Sequence, residues 1–312
     1  MAWHSFDAAL WIDEKRQLKA HFSNSPAGFR RFVAWLKQHG FGKLRVGVES
    51  TNICAEALLN WLYEKGYPVF LLNAEQVSHY ARTLGRRNKT DPADALVIAR
   101  FVALHEQTPW LPPPPEHKTL RSLLRTRHQL MDTRLQIANQ LRTADATARP
   151  YLQAIQRSIL AQLKVMAQDL AAHLRAHPVL NANVRRLMTF KGVGVITAAT
   201  VIAELPPITA QTDPRTICAW AGLIPCRRQS GKTELPSRIS KRGNRYLRHA
   251  LYMPALTAKR FNSQIKTFAA RLAERGKTKS AVLGAVAHKM LRILVGMLKH
   301  QSDYDPNWVF SK

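Results

Sequence analysis

Cysteine is scarce in this sequence of 312 residues, which holds only Cys54, Cys218 and Cys226. No two of them form a Cys-X-X-Cys pair, the spacing that zinc ribbons and thioredoxin-like redox sites use. An odd number of well-separated cysteines also argues against the disulfide framework that staples small secreted domains. The sequence therefore predicts a protein of a reducing compartment without a structural zinc site.

Long hydrophobic runs are also missing from the sequence. The longest apolar stretch, residues 193–203, is shorter than the roughly 20 residues that cross a bilayer as a helix. The first residues, Met-Ala-Trp-His-Ser-Phe-Asp, contain no basic stretch followed by an apolar run, so they do not resemble a secretory signal. These absences predict a cytoplasmic protein with no membrane partner.

Acidic residues are few compared with basic ones. Asp and Glu number 20 against 47 Lys and Arg, which gives a formal net charge of +27. An excess of this size indicates a polyanionic partner, either nucleic acid or an anionic membrane surface. The basic segments are spread along the chain and are not gathered on one amphipathic helix, which favours nucleic acid.

The N-terminal region has the pattern of an α/β unit. Apolar and polar residues alternate loosely over 6–22, which predicts a β-hairpin, and the helical spacing over 25–38 predicts a helix after it. Short apolar runs at 44–48 and 69–72 predict two strands, with a helix at 55–63 between them. The order strand, helix, strand is typical of parallel pairing.

A proline-rich linker, Trp110-Leu-Pro-Pro-Pro-Pro-Glu116, predicts the main boundary in the chain. Residues 117–176 are nearly free of glycine and carry leucines at helical spacing, with a break at Pro150. A helical hairpin or coiled coil is expected there, and plain helical packing within the monomer is the alternative. We therefore predict three domains, at residues 1–109, 110–180 and 181–312.

Three acidic residues form the first candidate site. Glu49 ends a predicted parallel strand, where open α/β sheets place their active sites. Asp91 precedes Pro92 and is predicted to cap a helix that runs to about His105, and Asp94 lies three residues later on the same side. Grouped carboxylates suit Mg²⁺, which assists phosphoryl transfer. The alternative is that both aspartates serve only the helix N-terminus.

Two short segments place basic residues or glycines where phosphates can bind. A basic loop precedes the acidic helix, and its alternative role is a solvated run of charge. A glycine turn before an apolar helix resembles the helix-hairpin-helix turn that binds DNA backbones, and its alternative is a tight turn without a ligand. The residues predicted to contact nucleic acid in these segments are Arg86, Arg87, Lys89, Lys191, Gly192 and Gly194.

Two more basic segments surround a serine in the C-terminal region. Ser230 stands beside Gly231 in a loop crowded with cations, where it can be exposed to a phosphodiester. Serine is a weak nucleophile unless another group activates it, so an ordinary phosphate-contact loop is the alternative. The residues predicted to contact nucleic acid here are Arg227, Arg228, Lys232, Lys241, Arg242, Asn244, Arg245 and Arg248.

Taken together, these segments resemble the insertion-sequence 110 family of transposases, including its 1111 subgroup. Each matching motif is weak alone, but their order and spacing cover nearly the whole chain. The matching stretches are Val46-Gly-Val-Glu-Ser-Thr51, Asn88-Lys-Thr-Asp-Pro-Ala-Asp-Ala95, Phe190-Lys-Gly-Val-Gly194, Ala219-Trp-Ala-Gly-Leu-Ile-Pro225 with Gln229-Ser-Gly231, and Ile239-Ser-Lys-Arg-Gly-Asn-Arg-Tyr-Leu-Arg248.

The resemblance implies an α/β plus α fold: an RNase H-like domain of the RuvC type, a coiled-coil middle and a mainly helical C-terminal transposase domain. It implies an Asp-Glu-Asp-Asp site for Mg²⁺ or Mn²⁺, in which Glu49, Asp91 and Asp94 match three ligands. It also implies that Ser230 is the nucleophile of DNA transposition and recombination through a covalent phosphoserine link. The implied partners are element and target DNA, a structured guide RNA, and further copies in a dimer or tetramer. The implied location is the bacterial nucleoid.

The start of the sequence departs from the family pattern. Family members open with a strand of the type Gly-Ile-Asp-Val, whose aspartate is the first metal ligand, whereas this sequence resembles the segment after it. Asp7 matches a position in the next strand and Asp13 is the other nearby acid, so neither is given the role. We therefore expect a truncated domain lacking its first strand, unpaired edges on the neighbouring strands and doubtful activity.

Two other functions remain open from the sequence. A Holliday-junction resolvase-like nuclease would share the acidic site but would hydrolyse DNA with water. A catalytically inactive, truncated nucleic-acid-binding protein would keep the helical middle and the basic C-terminal domain. Salt-sensitive binding without cleavage would distinguish the second of these from both enzymes.

Overall fold

A computed structural model describes residues 3–39, 44–49, 53–85, 90–107, 109–230 and 233–306. The side chains of residues 53, 227–230 and 233–238 lie outside that description. The chain divides into two compact units, Met1–Pro112 and Pro113–Lys312. The first unit is called the N-terminal unit below and the second the C-terminal unit.

The N-terminal unit begins with the predicted hairpin. Strand β1 (Ser5–Trp11) pairs antiparallel with β2 (Gln17–Ser23), and Phe6 faces Phe22 across the ladder. Alternation along the strands buries Phe6, Leu10 and Phe22 on one face, as the period of two requires. Asp13 holds the turn by accepting the backbone N–H groups of Lys15 and Arg16 at 2.8 Å.

Helix α1 (Pro26–Gln38) covers the buried face of the hairpin. The Ser25 hydroxyl caps it by accepting the Gly28 N–H, and a proline stands in its first turn. Phe29, Phe32 and Leu36 follow helical spacing and are buried. Phe32 meets Phe6 edge to face at a centroid distance of 5.6 Å, so aromatic packing holds the helix on the sheet.

The predicted strand–helix–strand unit follows. Strand β3 (Val46–Glu49) leads through a 3-10 turn (Ile53–Ala55) into α2 (Glu56–Glu64), and β4 (Val69–Leu72) pairs parallel with β3. Gly66, at a φ of 78°, ends the helix in the left-handed region that glycine favours. The parallel pairing expected from the sequence is confirmed.

Two helices complete the unit. Helix α3 (Ala74–Thr83) was not predicted, and α4 (Asp91–Leu104) begins within one residue of its predicted start. A Cβ on Gly47 would lie 2.4 Å from Val102 Cγ2, so glycine lets α4 pack closely on β3. Among the described residues, β1–β2 and β3–β4 form separate two-stranded sheets with no ladder between them.

The C-terminal unit starts with two long helices that pack against each other. Helix α5 (Pro115–Thr143) and α6 (Arg149–Ala176) are joined by five residues, and Pro150 stands in the first turn of α6. Pro150 therefore starts the second helix, while the break itself lies at 144–148. In the described part of this helix pair, Ile137 and Ile159 are the only residues that are buried outside the hydrophobic core of the C-terminal unit.

In the residues that the structure describes, six further helices and one hairpin complete the C-terminal unit. They are α7 (Pro178–Met188), α8 (Val195–Glu204), α9 (Pro214–Trp220), β5 (Pro225–Ser230), β6 (Thr233–Ile239), α10 (Arg245–Phe261), α11 (Ser263–Glu274) and α12 (Lys279–His300). Helix α12 is long and apolar enough to cross a membrane, yet 61% of its most apolar window is buried inside the unit. Burial of this kind is typical of a core helix.

Candidate active site

A cavity of about 360 Å³ lies between the two sheets of the N-terminal unit. Backbone and side chains of β1 and β3 form two of its walls, and the first turns of α4 form a third. Four carboxylates line it: Asp7, Glu49, Asp91 and Asp94. The three acidic residues that the sequence singled out therefore share one cavity, and the structure adds Asp7 to them.

Helix α4 presents its two aspartates from the first turn. Its N-cap is Thr90 and Asp91 is the first helical residue, so the prediction that Asp91 is the N-cap was wrong by one residue. The Asp94 N–H donates to the Thr90 carbonyl oxygen at 2.9 Å, which fixes the turn. Asp91 is exposed and Asp94 is half-buried, and both residues line the cavity.

The two aspartates of the β1–β2 hairpin, Asp7 and Asp13, have different surroundings. Asp7 Oδ1 lies 3.0 Å from His21 Nδ1 on the neighbouring strand, within hydrogen-bond distance. Asp13 is bound within its own turn, where a hydrogen bond from the Arg16 side chain holds the pKa of its carboxyl below the ordinary value. Asp13 therefore serves the hairpin turn. In the ranges that the structure describes, no three His, Cys, Asp or Glu side chains are arranged to hold a metal ion.

The predicted helix-hairpin-helix turn connects α7 to α8. Gly192 has a φ of 111°, and a Cβ there would lie 3.2 Å from the Pro254 carbonyl oxygen and the Ala258 nitrogen of α10. Glycine is therefore needed both for the conformation and for the close approach. Gly194 is the N-cap of α8 and has open space around it, and Lys191 is exposed. The structure therefore contains a glycine turn before an apolar helix, and its role as a phosphate-binding turn stays a prediction.

The predicted serine lies at the tip of a β-hairpin, where the sequence predicted a loop. Ser230 is the last residue of β5 and pairs with Thr233 of β6, and the ladder shifts register between Cys226 and Arg228. Several predicted site residues lie outside the described residues or have side chains that do: Arg86, Arg87, Lys89, Arg227, Arg228, Ser230 and Lys232.

The base of this hairpin is closed by two glycines. A Cβ on Gly222 would lie 2.4 Å from the Arg242 carbonyl oxygen, and a Cβ on Gly243 would lie 2.0 Å from that of Trp220. Lys241 N–H donates to the Gly222 carbonyl at 3.1 Å. The two segments flanking the hairpin can approach this closely only because neither glycine has a side chain.

The basic segment after the hairpin contains three exposed cations and two side chains that hydrogen-bond to the backbone. Lys241, Arg242 and Arg245 are exposed. Asn244 caps α10, its Oδ1 accepting the N–H groups of Tyr246 and Leu247. Arg248 donates to the Ala221 carbonyl at 2.9 Å, and partial burial lowers the pKa of its guanidinium. Asn244 and Arg248 therefore hold the segment in place, while Lys241, Arg242 and Arg245 keep their charges at the surface.

Sequence reasoning missed a buried acid beneath this segment. Glu204, the last residue of α8, is 2% exposed and pairs with Arg125 of α5. Its Oε2 also accepts the Asn244 side-chain N–H at 2.7 Å. One carboxylate thus ties the long helix α5 to the N-cap of α10. The available signal was a lone acid ending the apolar run Val-Ile-Thr-Ala-Ala-Thr-Val-Ile-Ala-Glu.

Comparison with known protein families finds two matches that lie in different parts of the chain. Residues 1–144 match a transposase domain of the DEDD type found in IS110 elements. Residues 184–270 match the family described as Transposase IS116/IS110/IS902. The first match contains the acidic cavity and the second contains the glycine turn and the serine hairpin.

Curated relatives align with most of the chain. A pilin gene-inverting protein of Moraxella bovis is 25% identical over 98% of this chain and 96% of its own length. A probable family 20 transposase of Pseudomonas aeruginosa is 26% identical over 78% of this chain and 81% of its own length. The transposase for insertion sequence element IS1111A of Coxiella burnetii is 24% identical over 84% of this chain and 80% of its own length.

Proposed function

This chain belongs to the IS116/IS110/IS902 transposases, and on that premise we propose that it cuts and rejoins insertion-sequence DNA through attack of Ser230 on a phosphodiester. The observation that carries the proposal is the convergence of Glu49, Asp91 and Asp94 on one cavity. These residues come from a strand end and a helix start that lie 42 positions apart, Glu49 to Asp91. Acidic residues that line one cavity are the kind that phosphoryl-transfer sites use to bind metal ions, but the described side chains do not form a ready-made metal site. Placement in the 1111 subgroup remains a prediction.

The reaction proposed for Ser230 needs no external energy source. Its Oγ forms a bond to phosphorus while the bond from phosphorus to one deoxyribose oxygen breaks. The serine proton leaves to a general base, and the departing oxygen takes up a proton. A hydroxyl on another strand then attacks the phosphoserine, restoring a phosphodiester and the free serine, so ATP is not consumed.

A DEDD-type domain implies a divalent metal cation, and we propose Mg²⁺ or Mn²⁺. Hard cations prefer oxygen ligands, so Glu49, Asp91 and Asp94 fit in kind, and Asp7 lies on the same cavity. A bound cation would supply charge stabilisation at the phosphate. The protein's own contribution is to hold the carboxylates on rigid elements, since α4 is packed closely on β3 through Gly47.

Transposases act on DNA, and we propose two further partners for this chain. A structured guide RNA is implied by the family resemblance, and the net charge of +27 would accommodate it alongside DNA. A dimer or tetramer through the α5–α6 pair is supported by its exposed apolar side chains. These are Leu135, Tyr151, Ile155, Leu160 and Val165. Apolar residues repeated along exposed helices are typical of coiled-coil seams.

The test is a denaturing-gel assay for covalent protein–DNA adducts with labelled element-end DNA, the candidate RNA and Mg²⁺. Wild-type protein should form adducts and Ser230→Ala should form none. Ser240→Ala is the matched control, because the buried Ser240 hydroxyl has no hydrogen-bond partner among the described residues. It should form adducts like the wild type.

Other outcomes would point to the other functions. Adducts that survive Ser230→Ala would remove that residue from the role. Cleavage without adducts, unchanged by Ser230→Ala, would indicate a resolvase-like nuclease. Salt-sensitive binding with no cleavage under either metal would indicate a nucleic-acid-binding protein without catalytic activity.

A further inference from the structure

A second cavity of about 360 Å³ lies in the N-terminal unit, between α1 and the C-terminal end of α2. It shares no lining residue with the acidic cavity. Its wall carries Arg30, Lys37 and Lys65 beside Trp61 and Tyr67. We call it the aromatic–basic cleft. The function proposed above makes no use of it.

One wall is the outer face of α1. Arg30, Ala34 and Lys37 follow each other at helical spacing, whereas Phe29 and Phe32 on the opposite face are buried. The core contacts therefore fix which residues face the cleft. Arg30 and Lys37 are separated by about 10 Å along the helix axis, a span that suits successive phosphates better than one small anion.

The other wall is aromatic and packs against the core of the unit. Trp61 is half-buried, and its ring lies 5.8 Å from that of Phe29 in the core. Gly66 turns the chain in the left-handed region so that Tyr67 reaches the same cleft. Ala34 opposite is small, which leaves room for a planar group against the rings. Rings fixed before binding cost little ordering when they stack on a ligand.

The cleft has charge of one sign. Its lining contains three cations and no carboxylate. Within the described part of the chain, no hydrogen bond or ion pair engages the Arg30, Lys37 or Lys65 side chains, although Lys65 Nζ lies 6.0 Å from the Trp61 ring centroid. All three are exposed at the rim. The arrangement attracts an anion that also carries a flat apolar face.

We propose that the aromatic–basic cleft binds the sugar–phosphate backbone of a nucleic-acid strand, with a base stacked on Trp61 or Tyr67. Phosphates meet the rim cations and the base meets the rings, which is the combination that single-stranded nucleic acids require. An acidic peptide would satisfy the cations but would leave the two rings without a planar partner. The strand can be DNA or RNA, since both carry phosphates and bases.

The test compares two double variants of the full chain that remove the same charge from the same unit. The double variant Lys37→Gln with Lys65→Gln removes two lysine charges from the cleft. The double variant Lys15→Gln with Lys19→Gln removes the charges of two exposed lysines elsewhere. Fluorescence anisotropy is measured with a short labelled single strand of DNA, the RNA of the same sequence, and duplex DNA over a range of salt. The cleft variant should bind a single strand about tenfold more weakly and with a smaller salt slope. The control should stay within about twofold of wild type.

Two further readouts locate the contact. Ultraviolet crosslinking of the bound strand, followed by peptide mapping, should mark residues 61–67. Trp61→Leu should weaken single-strand binding about tenfold, and Trp61→Phe, which keeps a ring, should weaken it less. Thermal unfolding shows whether each Trp61 variant is folded, and the lysine variants decide the question if Trp61→Leu is not.

Three results would overturn the proposal. The first is an equal loss of single-strand affinity in the two lysine double variants, and the second is crosslinking at residues other than 61–67. The third is polyglutamate binding that is as tight as nucleic-acid binding and is unchanged by Trp61→Leu. The last would indicate an acidic protein partner. Comparison of the DNA and RNA arms shows which strand the cleft prefers. Adduct formation by Ser230 is scored separately, so failure here leaves the proposed chemistry untouched.

Discussion

Arg125 and Glu204 form a bidentate ion pair across α5 and α8, with Arg125 Nε 2.6 Å from Oε1 and Nη2 2.7 Å from Oε2. The guanidinium also lies over the Tyr246 ring, 4.6 Å from its centroid. Arg125→Ala should destabilise the C-terminal unit by about 3 kcal/mol, because it leaves a buried carboxylate without its cation. Chemical denaturation measures the change. Arg134→Ala, on the exposed face of the same helix, is the control and should change stability by less than about 0.5 kcal/mol.

Gly243→Ala should destabilise the hairpin base more than Gly276→Ala does. Both glycines have positive φ, 122° and 74°, but a Cβ on Gly243 would lie 2.0 Å from the Trp220 carbonyl oxygen while Gly276 has open space around it. Gly276→Ala therefore meets backbone strain alone, about 1 kcal/mol, and Gly243→Ala adds a clash. Thermal unfolding compares the two, and similar losses of stability would contradict the close approach at the hairpin base.

Removing single carboxylates from the acidic cavity should separate metal binding from stability. Asp94→Asn and Glu49→Gln should each lower adduct formation at least about a hundredfold, and should weaken Mn²⁺ binding in a calorimetric titration. Without metal, their stability should equal or exceed that of the wild type, because like charges around one cavity repel. Glu64→Gln, an exposed acid on α2, is the control and should leave both readouts unchanged.

The buried thiol of Cys218 should lower the free energy of unfolding at high pH. Burial raises the pKa of its thiol from 9.0 to about 12. Below pH 9 the thiol is protonated in both states, and above it only the unfolded chain releases the proton, so stability falls as pH rises toward 12. The slope from this group is about 1.4 kcal/mol per pH unit. Cys218→Ala should remove it, whereas Cys226→Ala, at a half-buried position, should keep it.

Elements with a strong repeat could be predicted from the sequence. The hairpin of β1 and β2 follows from alternation, and β4 was predicted at its observed bounds because Val69–Leu72 is a short apolar run between turn residues. Helix α3 was not predicted although Val77, Tyr80 and Ala81 follow helical spacing, because the stripe is short and only Val77 in the helix is fully buried. The β5–β6 hairpin was not predicted from the sequence, because its strands are polar and basic and Pro236 lies inside β6.

The candidate site also combines features that could be predicted from the sequence with features that could not. Glu49, Asp91 and Asp94 could be grouped because a strand end and a helix start are local features. The Arg125–Glu204 pair joins residues 79 positions apart and forms only when α5 packs on α8, so no local sequence pattern predicts it. Asp7 was set aside by comparison with a motif, whereas its place on the acidic cavity depends on how α4 packs against β1.

Helix α12 contributes eleven buried residues to the C-terminal unit, more than any other helix described. Its first residue, Lys279, lies 164 positions after Pro115, where α5 begins. At about 5–20 residues per second, a ribosome needs roughly 8–33 s to make that interval. During this time α5 and α6 can pair through local contacts, but the core that supports the glycine turn and the serine hairpin is still missing its central helix. Assembly of the C-terminal unit is thus delayed in time relative to the N-terminal unit, so a nascent chain acquires its acidic cavity well before Ser230, the nucleophile that we propose, is held in place.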